Sequence, residues 1–147
     1  MTYNHISVGK EDRTFIISIN RPDVYNALNK EAKTEIMQAI REASKDDFAR
    51  SILLRSEGKA FCTGQDLNDR TVQSNEGQSV DLGKTLETEW NPLVTTIRNS
   101  KLPVIASIQG VCAGAGVSVA LACDMLFCSP KVKFVSGFSK LGLAPDA

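Results

Sequence analysis

The sequence contains one histidine, His5, and four cysteines, none of which form a Cys-x-x-Cys pair. Zinc sites draw on several histidine and cysteine ligands, and Ser-His-Asp or Cys-His systems need a histidine beside the nucleophile. We therefore expect no metal site and no histidine-activated nucleophile here. Cys112 and Cys123 stand among small apolar residues, which predicts buried, inert thiols. Acid–base chemistry is left to carboxylates, lysines or backbone groups.

An excess of charge of either sign is also lacking. Seventeen Lys and Arg residues balance seventeen Asp and Glu residues. Without a basic excess, the chain has no electrostatic footprint for nucleic acid or for an anionic membrane surface. No apolar run reaches the length of a membrane span, and the first residues lack the apolar core of a signal peptide. We expect a cytoplasmic protein with neither a nucleic-acid nor a membrane partner.

What the sequence does contain is an alternation of apolar strand-like runs with amphipathic helical stretches. Its 147 residues, 42% of them hydrophobic, suffice for one domain over residues 1–147. Asn29 is placed to cap the first helix, Pro92 to kink or divide the second, and residues 9–12 to turn an initial hairpin. The resulting fold class is α/β with crossover connections. Strands are predicted over 6–8, 14–20, 51–55, 104–108, 125–128 and 132–135, and helices over 30–44, 82–98 and 117–122.

The stretch from residue 103 to 124 joins a buried strand to a small-residue helix through a glycine turn. Such a turn leaves N–H groups unpaired at the helix N-terminus, where they suit an anion or a developing negative oxygen. Gly110, Gly114 and Gly116 let a ligand approach the backbone, although their spacing is not the dinucleotide fingerprint Gly-x-Gly-x-x-Gly. The alternative is that Gly114 and Gly116 only permit tight helix–strand packing, which is the commoner role of glycine-rich turns.

A second strand running into a glycine turn covers residues 60–67. The polar, glycine-dotted residues 68–80 after it predict a mobile surface loop. The sequence closes with Asp146-Ala147 after a Gly-x-x-Pro turn, without a capping helix. This ending favours an N-terminal fragment of a longer protein.

Motifs spread over the whole chain resemble those of the crotonase (enoyl-CoA hydratase/isomerase) superfamily. The resemblance implies a spiral of repeated β-β-α units followed by a C-terminal helical region, which is missing from these residues. It also implies a homotrimer or hexamer for the complete protein. The motifs are Asn20-Arg21-Pro22 with Asn26-Ala27-Leu28-Asn29, Ala60-Phe61-Cys62-Thr63-Gly64-Gln65-Asp66-Leu67, the turn from Gly110 to Gly116, and Phe138 to Asp146.

Members of this family bind acyl-CoA thioesters and stabilise an enolate. The resemblance implies that the backbone N–H groups of Gln65 and Ala115 form the oxyanion hole, each worth ~3 kcal/mol in the transition state. It places Asp66 and Leu67 beside the CoA adenine and Ala27 along the pantetheine. The full set of implied substrate-binding residues is Ala27, Asp66, Leu67, Trp90, Gly114 and Phe138.

The acid–base residues separate the branches of the family. Ser118 and Phe138 stand where the resemblance would put the two glutamates of a hydratase, and neither carries a carboxylate. Asp146 matches the catalytic carboxylate of enoyl-CoA isomerases, and an allylic proton shift requires only one base. The alternative for Asp146 is a helix N-cap or turn residue after proline.

The expected function is therefore an isomerase that moves a proton on an acyl-CoA thioester, either a ring epoxide or a straight-chain 3-enoyl substrate. Coenzyme A enters as part of the substrate, and we expect no other cofactor. Two alternatives stay open. One is a hydratase, lyase or dehalogenase-like thioester enzyme; the other is a non-catalytic scaffold of the same fold.

Overall fold

The computed structural model describes residues 2–69, 82–142 and 144. Its eight strands are β1 (Ile6–Glu11), β2 (Thr14–Ile19), β3 (Ser51–Ser56), β4 (Ala60–Cys62), β5 (Val104–Ile108), β6 (Val111–Ala113), β7 (Met125–Cys128) and β8 (Lys133–Val135). Its helices are α1 (Lys30–Ala43), α2 (Leu82–Thr85), α3 (Asn91–Arg98) and α4 (Ala115–Ala122), with 3-10 turns at Pro22–Val24 and Phe138–Leu141.

The strands form two sheets, and successive strands of the chain from β3 onward alternate between them. The larger sheet has the order β1-β2-β3-β5-β7 and the smaller has the order β4-β6-β8. Only the β1–β2 pair is antiparallel among the described pairs. Each of the pairs β3–β4, β5–β6 and β7–β8 thus gives one strand to each sheet, and helices follow the first two pairs. The predicted spiral of β-β-α units is confirmed.

Gly110 forms the corner at which the chain passes from β5 in the larger sheet to β6 in the smaller sheet. Its φ is +63°, and a Cβ at this position would lie 1.8 Å from the carbonyl oxygen of Lys59. No side chain fits such a contact, so the corner requires glycine. The corner keeps β6 beside β4, where the candidate site begins.

The core is one cluster of buried residues from β1, β2, β3 and β5 of the larger sheet, from β4 and β6 of the smaller sheet, and from α1, α3 and α4. Helix α1 packs against α3 and against the larger sheet. Strand β5 alternates buried and half-buried residues, and its inward positions are closed to solvent. Helix α1 begins where the sequence predicts, because the Asn29 side chain accepts a hydrogen bond from the N–H of Ala32 (2.8 Å). On its buried face, Ile36 and Ile40 are 0% and 1% exposed.

The predicted helix over residues 82–98 is present and contains a π-helical turn at Leu86–Trp90. Pro92 occupies the second position of α3, just after this turn. A proline ring crowds the carbonyl four residues earlier, and a wider turn accommodates that crowding without ending the helix. The turn carries Glu89 and Trp90 into the interior, where both are less than 9% exposed.

The predicted turn of the first hairpin is wrong in position. Residues 9–11 do not turn but continue β1, with Glu11 paired to Thr14. The chain reverses at Asp12-Arg13, and Asp12 adopts a φ of +48°. An aspartate tolerates this left-handed conformation, so a two-residue turn forms without glycine.

Large apolar side chains lie exposed on the last strand pair. Within the described residues, β7 and β8 each have a partner on one side only. Phe127 and Phe134 are 65% and 47% exposed there.

No helix in the described part of the chain has both the length and the apolar character of a membrane span.

Candidate active site

The first half of the site is the loop that leaves β4. Leu28 holds it at two points: the Leu28 N–H donates to the Gly64 oxygen (2.7 Å), and the Leu28 oxygen accepts from the Asp66 N–H (3.1 Å). Leu28 and Gln65 thus form a parallel bridge. In such a bridge, the residue between the two hydrogen-bonded residues, here Gln65, directs its own N–H to the opposite side. The N–H of Gln65 therefore points away from Leu28.

The second half is the turn from β6 into helix α4. Gly114 precedes the helix with a φ of +52°, and its N–H donates to the Val135 oxygen (2.9 Å). Ala115 is the first helical residue, and the N–H of a first helical residue has no partner within its own helix. The positive end of the helix dipole adds to the attraction of this N–H for a negative oxygen.

The two halves meet backbone against backbone. A Cβ on Gly64 would lie 3.1 Å from the Ala115 nitrogen, and a Cβ on Gly116 would lie 2.4 Å from the Cys62 oxygen. The close-packing alternative therefore holds at Gly116, whereas approach of a ligand to the turn stays a prediction. The loops that carry the Gln65 and Ala115 N–H groups lie in contact.

The Asn-Arg-Pro segment braces the first loop. Arg21 forms an ion pair with Asp66 (2.7 Å) between side chains that are 14% and 7% exposed, and it also donates to the Ala27 oxygen. Asn26, at a φ of +57°, accepts from the Arg21 N–H and donates to the carbonyl oxygens of Glu57 and Ala60. The structure thus brings Ala27 and Asp66 together, while Leu67 beside them is 59% exposed.

The Gln65 side chain belongs to a buried cluster that the sequence analysis missed. Its Oε1 accepts from Lys33 Nζ (3.0 Å) and from Trp90 Nε1 (3.0 Å). The Lys33 Nζ lies 2.5 Å from Glu89 Oε2 and 4.5 Å from the centre of the Trp90 ring. Trp90, predicted to bind substrate, is 3% exposed and contacts the loop that leaves β4 through this hydrogen bond.

Helical spacing contained the signal for Lys33. It precedes Ile36, Met37 and Ile40 by three, four and seven residues, which places it on the buried face of α1. A lysine on such a face needs a partner inside the protein.

A cleft of about 410 Å³ opens between α3 and α4. It brings together Ser118 and Phe138, the two positions at which the family resemblance puts hydratase glutamates. None of the described residues that line the cleft has a carboxylate side chain, and the charged residue among them is Arg98. The lining residues are Val94, Arg98, Val117, Ser118, Leu121, Ala122, Ser136 and Phe138.

Three thiols near the site are buried, as predicted for Cys112 and Cys123. Burial raises the pKa of Cys62 to about 11 and the pKa values of Cys112 and Cys123 to about 12. Thiols that stay protonated at neutral pH are poor nucleophiles. Over residues 2–69, 82–142 and 144, no three His, Cys, Asp or Glu side chains gather as a metal site requires.

Asp146, the predicted acid–base residue, lies outside the described residues, as do residues 70–80 of the predicted loop. The proposed roles of Gln65, Ala115, Gly114, Trp90 and Phe138 stay predictions.

Comparison with known proteins identifies relatives of the whole chain. The sequence is 40% identical over 136 residues to the 1,2-epoxyphenylacetyl-CoA isomerase of Escherichia coli (strain K12), covering 92% of this chain and 52% of that protein. It is 36% identical over 147 residues to a Rhodobacter capsulatus protein named "Probable enoyl-CoA hydratase", covering 100% of this chain and 54% of that protein. A solved enoyl-CoA hydratase from Mycobacterium avium subsp. paratuberculosis K-10 matches with a TM-score of 0.84 and 32% identity, over 99% of this chain and 55% of that one.

The chain spans about half the length of the curated relatives it matches. The enoyl-CoA hydratase/isomerase family matches over residues 10–147, which is nearly the whole sequence. With the two-sheet spiral and the paired glycine turns, this match settles the kinship: the chain belongs to the enoyl-CoA hydratase/isomerase family.

Proposed function

We propose that the protein is an isomerase of acyl-CoA thioesters that works by proton transfer through an enolate. The observation that carries this proposal is the composition of the cleft between α3 and α4. Ser118 and Phe138 face the same cleft, and no carboxylate lines it among the described residues. Activation of water for addition to a double bond needs a general base at this place. An allylic proton shift needs only one acid–base group.

In the proposed reaction, the thioester carbonyl oxygen accepts hydrogen bonds from the N–H groups of Gln65 and Ala115. A carboxylate removes a proton from the α carbon, and the electron pair moves onto the carbonyl oxygen as a dienolate forms. The same carboxyl group returns the proton to the γ carbon, which yields the conjugated 2-enoyl thioester. Two fixed donors at the oxygen stabilise the dienolate because its charge develops where they point. Asp146 is the proposed acid–base residue.

The proposed CoA contacts follow the braced first loop. Ala27 and Asp66 are linked through Arg21, so the wall they form is already fixed before ligand arrives. The exposed Leu67 side chain offers an apolar surface beside them. Gly114 lets the thioester approach the second donor, and Trp90 and Phe138 are the proposed apolar boundary of the acyl group.

Two substrate classes remain within this proposal. The relative named 1,2-epoxyphenylacetyl-CoA isomerase favours a ring-epoxide thioester and a place in phenylacetate breakdown. A straight-chain 3-enoyl-CoA would place the enzyme in fatty-acid metabolism instead. The proposed location is the cytoplasm, the proposed assembly is a homotrimer or hexamer, and no cofactor is proposed beyond the CoA of the substrate.

The test uses the protein expressed from its complete reading frame. Wild type and Asp146→Asn are offered 3-hexenoyl-CoA, with formation of the conjugated thioester followed by absorbance, and crotonyl-CoA, with loss of absorbance as the hydration signal. We expect isomerisation that disappears in Asp146→Asn and little hydration. Hydration that survives the substitution would contradict the proposal and favour the hydratase names among the relatives. Thermal stabilisation by acyl-CoA without turnover of either would favour the ring-epoxide substrate or a binding scaffold.

A further inference from the structure

Two separate parts of the chain converge on the side chain of Gln65. Helix α1 supplies Lys33, and the π-helical turn supplies Glu89 and Trp90. Two donors, Lys33 Nζ and Trp90 Nε1, each lie 3.0 Å from the Gln65 Oε1. The other polar atom of the carboxamide, Nε2, donates a hydrogen bond to the backbone carbonyl oxygen of Asp66 (3.2 Å). Both ends of the Gln65 carboxamide are therefore held.

Stability alone does not explain this cluster. The Lys33 and Glu89 side chains are 1% and 9% exposed, so both charges have left water. Replacing a buried ion pair by apolar residues of similar size is often neutral or stabilising. An apolar pair would also fill the space between α1 and the π-helical turn. The cluster instead directs two hydrogen-bond donors at one atom of the oxyanion loop.

We propose that Lys33, Glu89 and Trp90 form a positioning cluster that fixes the Gln65 side chain, and thereby the direction of the Gln65 N–H toward a thioester oxygen. Glu89 holds the Lys33 ammonium, Lys33 and Trp90 hold the carboxamide, and Leu28 holds the peptide units on either side of Gln65. With the backbone and side chain both held, the N–H has one direction. This inference rests on the proposed oxyanion role of Gln65.

The test compares variants that remove the cluster in different ways. Gln65→Leu accepts no hydrogen bond, and Trp90→Phe keeps the ring but loses one donor. A double variant, Lys33→Met with Glu89→Leu, removes both charges so that neither stays buried alone. Ile40→Val shortens a buried side chain of the same helix outside the cluster and serves as the packing control.

The first readout is the infrared carbonyl stretch of bound butyryl-CoA, in which no double bond can shift. Hydrogen bonds from the protein move this stretch to lower frequency than in free butyryl-CoA. We expect Gln65→Leu and the double variant to lose much of the shift, Trp90→Phe to lose part of it, and Ile40→Val to keep it. A full shift in both Gln65→Leu and the double variant would overturn the proposal, and so would a wild type that binds with no shift.

The second readout is the rate of 3-hexenoyl-CoA isomerisation. A misdirected donor lowers kcat by roughly tenfold to a hundredfold, whereas KM changes little because the CoA contacts remain. Unchanged kcat in the double variant would overturn the positioning role. If wild type shifts the carbonyl band but isomerises no thioester, the proposed reaction fails while the positioning role is supported. Absence of butyryl-CoA binding overturns both.

Discussion

Gly116 lies so close to Cys62 that a Cβ on it would come within 2.4 Å of the Cys62 carbonyl oxygen. This contact seats helix α4 on the end of β4. We expect Gly116→Ala to destabilise the fold by about 3 kcal/mol, since the obstacle is backbone and cannot rotate away. Urea unfolding measures the loss. The matched control is Gly137→Ala, where a Cβ meets nothing within 4 Å, and equal midpoints for the two variants would contradict the packing argument.

Asn26 is 0% exposed and joins three backbone groups, so its replacement should be costly. In Asn26→Ala, the oxygens of Glu57 and Ala60 lose a buried donor, which predicts a loss of about 3 kcal/mol. Thermal and urea unfolding would report the loss. Asn99→Ala, on the exposed end of α3, should change stability by less than about 0.5 kcal/mol. A neutral Asn26→Ala would show that these carbonyls find other partners.

The four thiols should separate sharply by reactivity. Cys128 is exposed, whereas Cys62, Cys112 and Cys123 are buried. At pH 8, a thiol reagent should label one cysteine quickly in the native protein and the other three only on unfolding. Cys128→Ser should abolish the fast phase. Fast labelling of two or more residues would contradict the burial of the glycine-turn region.

The same thiols predict a dependence of stability on alkaline pH. Burial raises the native-state pKa of Cys62 to about 11, and those of Cys112 and Cys123 to about 12. In the unfolded chain a thiol ionises near pH 8.5. The stability that the buried, protonated thiols contribute is therefore fully present below about pH 8.5, and it is lost as the pH rises toward their native-state pKa values. A Tm that stays constant from pH 8 to 10.5 in wild type would contradict this, and Cys123→Ala should flatten the fall.

Gly64 is the point at which the loop after β4 meets the turn before α4. Its φ is +92°, and a Cβ on it would lie 3.1 Å from the Ala115 nitrogen. We expect Gly64→Ala to reduce isomerisation by roughly a hundredfold, because it pushes apart the loops that carry the two donors. The assay is the 3-hexenoyl-CoA reaction beside Gly9→Ala, where a Cβ meets nothing within 4 Å. A wild-type rate in Gly64→Ala would remove the Gln65–Ala115 pair from the mechanism.

Local patterns predicted most elements of this fold. Strand β5 was predicted with the bounds that the structure shows, and helix α1 begins after its Asn29 cap and ends within one residue of the predicted position. These features depend on neighbours in sequence, where side-chain periodicity and capping act. The first hairpin was predicted, but its turn was placed over residues 9–12 and lies at Asp12-Arg13, because it uses a left-handed aspartate in place of glycine.

The candidate site was predictable only in part. The glycine turns marked both loops, since a positive φ and a close backbone approach leave a signature in the residue type. The cluster around Gln65 left a weaker signature. Helical spacing places Lys33 on the buried face of α1, but Glu89 resembles an ordinary surface charge until the fold brings distant segments together. The burial of Glu89 depends on the π-helical turn, a variation in helix geometry that residue periodicity does not encode.

The pairing of strands in successive units also has a consequence for how the protein opens. In the described part of the chain, the strands of each unit pair with those of the units before and after it, so we expect cooperativity to pass mainly between neighbours. Within the described chain, β5 and β6 are flanked on both sides, whereas β7 and β8 are flanked on one. Amide protons of the last pair should therefore exchange through local fraying, while those of β5 wait for global unfolding. The two loops that carry the Gln65 and Ala115 N–H groups follow β4, which is flanked on one side among the described residues, and β6, which is flanked on both.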